Sequence, residues 1–104
     1  TKGSPLRDVA GMLRSFNYAR WSALRRVAQS PEEAERLAAP AIAWEQATRA
    51  AFLTGYGAAV DTELLALFEL DKALYELRYE LNNRTDWAQV PLHGVLALIQ
   101  PARG

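Results

Sequence analysis

Residues 74–87 read LYELRYELNNRTDW. Leucines stand at 74, 77 and 81, and upstream at 67 and 70. Steps of three and four residues return to one face of a helix. Asn82 and Asn83 tolerate a left-handed backbone and close helices, and Arg84 complements the negative helix end. Asp61 is placed to cap the same helix at its start. The spacing therefore predicts a long helix from Asp61 to about Asn82 or Asn83, and the rest of the chain is read outward from it.

Upstream, Ser4-Pro5 is an N-cap followed by proline at the first helical position, with Asp8 in the positive first turn. Val9, Met12, Leu13, Phe16, Ala19, Ala23 and Val27 recur at helical spacing and form the expected core face of this first helix. Gly11 costs a helix about 1 kcal/mol relative to alanine, so close packing of another backbone is expected there. Ser30-Pro31-Glu32-Glu33 is a capping box that opens a second helix. Pro40 lacks an amide proton and is expected to kink or end that helix just before it. Trp44, Ala47, Ala51 and Phe52 carry the pattern on to Gly55, and Gly55-Tyr56-Gly57 reads as a turn. A last helix is expected from near Pro91, carrying Leu92, Val95, Leu96 and Ile99, before a fraying PARG end. Alanine, leucine, glutamate and arginine outnumber valine and isoleucine, which favours helix over strand. The expectation is an all-α fold of roughly five helices, one helical subdomain over residues 1–104.

Composition removes several function classes. The chain has 104 residues, with 12 basic and 12 acidic side chains. The balance argues against nucleic acid and against an anionic membrane surface as partners. There is no cysteine and one histidine, so disulfides, Cys-based zinc sites and His-rich metal sites are excluded. The lack of cysteine fits a cytoplasmic location. Apolar runs are broken by charge well short of a membrane span, and TKGSPLRD lacks the apolar stretch of a signal peptide. No phosphate-binding glycine loop, nucleophile elbow or metal-ligand cluster is visible. His93 has no acid spaced to form a dyad and reads as a surface or cap histidine. Glu76 and Glu80 share a helix flank, which explains them without acid–base chemistry. No catalytic residue and no metal ligand is expected in this chain.

At about 100° per residue, Leu67, Leu70, Leu74, Leu77 and Leu81 form one narrow stripe, expected to be core. Phe68, Lys72, Tyr75 and Tyr79 form a second stripe almost opposite, with Glu69, Glu76 and Glu80 beside it. Two readings of that second face stay open. Its tyrosines cover neighbouring helices while its charges face solvent, or the face lines a cleft. Aromatic faces against sugar C–H surfaces, with cations and carboxylates at hydroxyls, are what a carbohydrate site needs. Trp87 reads as a hydrophobic anchor or a stacking surface, and Asp86 as a partner of Arg84 or a cap.

Two long stretches, SPLRDVAGMLRSFNYA (4–19) and FELDKALYELRYELNNRTDWAQVPLHGVLAL (68–98), resemble the C-terminal end of bacterial maltokinases, especially those fused to or working with trehalose synthase. Such enzymes are similar to aminoglycoside phosphotransferases. The resemblance covers almost the whole chain and is weak from about residue 28 to 62. It departs at Asn17, where the family more often has aspartate, and at Thr85, where it more often has proline; that second change loosens the turn after the helix. The resemblance implies the helical part of a kinase-like C-terminal lobe. It also implies that the complete enzyme uses ATP and Mg2+, held upstream of Thr1, to convert maltose to maltose 1-phosphate. Lys72, Tyr75, Glu76 and Tyr79 are then the expected sugar contacts, with Arg84 and Trp87 at the rim. Arg7 and Asp8 would brace the magnesium loop against the first helix. A related amino-sugar kinase, such as a glucosamine kinase, would instead set Glu76 or Glu80 against an ammonium group. A non-catalytic helical module docking trehalose synthase is the alternative of a different class.

Overall fold

The computed structural model describes residues 5–56 and 61–100. These residues form four α-helices: α1 (Pro5–Val27), α2 (Pro31–Tyr56), α3 (Thr62–Asn83) and α4 (Gln89–Ile99). A single 3-10 turn, Thr85–Trp87, joins α3 to α4. Among the described residues there is no strand, and the fold is all-α. Ser4, Gly57 and the PARG end lie outside the described residues.

The count falls from roughly five helices to four because α2 continues through Pro40. Proline removes one backbone hydrogen bond and crowds the carbonyl four residues earlier. Pro40 and Arg36 are both exposed residues. Local signals fare better elsewhere. Asp61 accepts the Leu64 amide at 3.0 Å and caps α3. Ser30 Oγ accepts the Glu33 amide at 3.1 Å, and the Glu33 carboxylate accepts the Gln29 amide at 2.6 Å. α4 starts at Gln89, two residues before Pro91, because the 3-10 turn feeds straight into it.

The chain divides into two compact units, Thr1–Arg14 with Asp61–Gly104, and Ser15–Val60. The first unit is built on α3, which packs against α4 and the 3-10 turn. Its buried apolar residues are Val9, Ala10 and Leu13 from α1, Leu65 and Ala73 from α3, and Ala88, Val90 and Pro91 at the start of α4. The second unit pairs the later part of α1 with α2. Phe16 meets Phe52 edge-on with ring centroids 5.7 Å apart, and Phe52 lies 6.4 Å from Tyr56. Its buried residues are polar: Asn17 and Glu45. The Glu45 carboxylate accepts from Asn17 Nδ2 at 3.1 Å and from Arg20 Nε at 2.6 Å.

Two expected core faces are corrected. On α1, Val9 and Leu13 are buried, but Met12, Ala19, Ala23 and Val27 are exposed and Phe16 is half-buried. On α3, the leucine stripe is not the core. Leu67, Leu74 and Leu81 are 61%, 48% and 56% exposed, and Leu70 and Leu77 are half-buried. The packed face is instead Leu65, Glu69, Ala73, Glu76 and Glu80. Three carboxylates turn inward, two of them because cations wait for them there.

The glycine that close packing requires is also a different one. Around Gly11 a Cβ would meet nothing within 4 Å. At Gly94 it would stand 2.7 Å from Arg14 Nη1. The absence of a side chain at Gly94 leaves room for a guanidinium rather than for another backbone.

Candidate functional site

The first unit holds its polar groups in three places along α3. The innermost is the pair of Arg14 and Glu76. Arg14 is buried, and its Nε donates to Glu76 Oε1 at 2.8 Å. Burial pushes the Glu76 carboxyl up from its ordinary value, against the pull of Arg14 and Lys72. The nearby Glu80 adds to the rise. Desolvation thus outweighs the ion pair here, as it does for many buried pairs.

The second place is the C-terminal end of α3. Arg84 donates two parallel bonds to Glu80, Nε to Oε1 at 2.9 Å and Nη2 to Oε2 at 2.8 Å. Glu80 is 2% exposed, so this is a charge held in the core by a bidentate fork. The guanidinium then lies over the Trp87 ring, 4.9 Å from its centroid. Asn82 and Asn83 donate side-chain bonds back to the Arg78 and Tyr79 carbonyls.

The third place is a shallow cavity of about 300 Å3 lined by Arg7, Phe68, Asp71, Lys72 and Tyr75. The Arg7 guanidinium covers the Phe68 ring at 4.7 Å and stands 3.9 Å from the Asp71 carboxylate. The Lys72 ammonium lies 5.9 Å from the Tyr75 ring centroid, and Tyr75 is 64% exposed. Arg7 and Asp71 are well exposed, so their pairing is weak and both can turn to a ligand. The cavity is thus lined by two aromatic rings, each with a cation beside it, and one carboxylate.

The expected site residues divide accordingly. Lys72 and Tyr75 share the cavity. Tyr79 stands one turn further along the same face, half exposed. Glu76 is committed to Arg14. Arg84 and Trp87 pair with each other roughly 18 Å along the helix from Lys72, at 1.5 Å per residue. The fork of Arg84 grips Glu80. Sequence reasoning missed Asp71 and gave Arg7 another role. Asp71 sits three residues after Phe68 and four before Tyr75, a spacing that could have placed it on this face. Arg7 comes from another helix, and no local pattern points to it.

The second unit carries a larger groove of about 490 Å3, walled by Leu24, Val27, Leu37, Pro40 and Trp44. Arg20 is its one charged lining residue, and that side chain is bound to Glu45. A groove so poor in polar groups does not suit a sugar. Among the described residues no group of three or more histidines and carboxylates is placed to hold a metal ion, and no helix is long and apolar enough to cross a membrane. No family model matches this chain, and no solved structure matches it.

Proposed function

We propose that this chain is the C-terminal segment of a maltokinase, which converts ATP and maltose to ADP and maltose 1-phosphate, and that α3 supplies one wall of its sugar pocket. The observation that carries this reading is the cavity at Lys72 and Tyr75, where aromatic faces, cations and a carboxylate meet. Flat rings take the C–H surface of a pyranose, and charged groups hold its hydroxyls. The likeness of residues 4–19 and 68–98 to maltokinases supplies the identity of the sugar. ATP and Mg2+ would be held by residues outside this chain, and the chain's own part is to bind and orient the acceptor.

The test is Tyr75→Ala in the complete enzyme. Loss of one stacking face at an exposed position lowers kcat/KM for maltose about tenfold, with the KM for ATP unchanged. Equal loss toward both substrates, or loss of the fold, would contradict the reading. The exposed Asp71 carboxylate keeps an amino-sugar acceptor as the second reading, since Glu76 and Glu80 are both tied to arginines. Phosphorylation of glucosamine but not maltose by the complete enzyme would establish that alternative.

A further inference from the structure

Three exposed leucines of α3, Leu67, Leu74 and Leu81, stand seven residues apart, with half-buried Leu70 and Leu77 between them. Leu67, Leu74 and Leu81 take the first core position of a heptad, and Leu70 and Leu77 the second. The three at the first position are the most exposed leucines of the helix. A continuous leucine seam along a helix of roughly 33 Å is an unusual thing to leave in water. We propose that a second copy of this chain covers it, packed antiparallel, with Leu74 of one copy against Leu77 of the other.

The charges beside the seam select this arrangement. In a parallel pair, flanking charges meet between the position before the first core residue and the position after the second. The positions before the seam's first core residues are Ala66, Ala73 and Glu80. Ala73 and Glu80 are buried in their own unit, and Glu80 is gripped by Arg84. A parallel pair therefore has no ion pair to form. In an antiparallel pair the positions after the second core residue face each other, and here these are Asp71 and Arg78, both exposed.

The register follows from the same two residues. With Leu74 opposite Leu77, four leucine layers close, pairing 70 with 81 and 74 with 77 twice each. Asp71 then lies within about 3 Å, along the axis, of Arg78 from the other copy, and the contact occurs twice by symmetry. Sliding the helices one heptad one way brings Asp71 against Asp71, and the other way brings Arg78 against Arg78. Both alternatives set like charges together, which is how flanking residues choose a register. The seam is short, so the dimer dissociates at roughly micromolar concentrations. The inference rests on the heptad, on exposure and on the charges of Asp71 and Arg78, and not on the sugar reading, although Asp71 also lines the cavity and stands 3.9 Å from Arg7.

Sedimentation velocity of the 104-residue chain over a dilution series tests this. The wild type is expected to move from dimer to monomer on dilution. Leu74→Glu places a carboxylate in the central layers and weakens the dimer at least about a hundredfold. Arg78→Asp sets like charges together and weakens it about tenfold. Asp71→Arg combined with Arg78→Asp restores opposite charges and brings the constant back to within about threefold of wild type. A wild-type chain that stays monomeric throughout overturns the proposal. So does a dimer indifferent to Leu74→Glu, or a double variant as weak as Arg78→Asp alone. All these positions are exposed, and the charge pair keeps the test decisive should Leu74→Glu lose its fold.

Discussion

The two faces of α3 invert the usual order of inside and outside. One face carries Leu67, Leu74 and Leu81 and stands in solvent; the other carries Glu69, Glu76 and Glu80 and is packed. The difference lies in what each face meets. The carboxylate face has Arg14 delivered from α1, with Gly94 leaving room for it, and Arg84 delivered from its own C-terminus. The leucine face leaves Leu67, Leu74 and Leu81 about half or more exposed. Burial of a helix face is decided by complementary neighbours, and hydrophobicity is only one form of complementarity.

The largest effect is expected from removing the buried cation. Arg14→Met leaves Glu76 in the core without its partner and costs the first unit about 3 kcal/mol at neutral pH. Chemical denaturation would measure it. The cost shrinks in acid, because the Glu76 carboxyl can then take up a proton.

Gly94→Ala comes next. Its Cβ would stand 2.7 Å from a guanidinium that is itself buried and ion-paired, so the arginine cannot swing aside cheaply. A loss of about 1–3 kcal/mol is expected, measured by the same denaturation. If Gly94→Ala is neutral, Arg14 is not held as described.

A pH effect on Glu76 is smaller. Burial raises its folded pKa above the ordinary 4.5, so the folded chain binds this proton more tightly than the unfolded one. The contribution is therefore greatest below that ordinary value and declines as pH rises through the raised one, then levels off. Wild type should lose stability relative to Glu76→Gln over that climb, and comparing unfolding of the two from acid to neutral pH checks the sign. The opposite slope would mean that the ion pair dominates.

The smallest effect belongs to the other face. Leu74→Gln, studied where the chain is dilute and monomeric, should change stability by no more than about 0.5 kcal/mol. A loss of core size there would place the leucines inside after all.

The sequence shows what is local. The caps at Ser30 and Asp61 and the end of α3 at Asn83 each depend on residues within a turn, and each is found as expected. Pro40 does not end α2: a proline inside a helix kinks or breaks it, and here the helix continues past it. The orientation of α3 was illegible for a different reason. Five leucines at helical spacing outweigh glutamates in any periodicity, while the arginine that pairs with partly buried Glu76 lies 62 positions away in sequence. The same limit applies to the cavity. Lys72 and Tyr75 could be placed on one face from their spacing, but Arg7 could not. Asn17 is a related case: its amide donates to buried Glu45, where an aspartate would set a second carboxylate.

The most direct test of the inverted helix uses neighbouring positions. The chain has no cysteine, so Ala73→Cys and Leu74→Cys each introduce a single thiol. Ala73 is 0% exposed and Leu74 is 48% exposed. With the chain dilute enough to be monomeric, maleimide should modify the thiol at position 74 rapidly and leave that at 73 protected until the chain unfolds. Rapid modification at 73 with protection at 74 would return the leucines to the core and contradict the account.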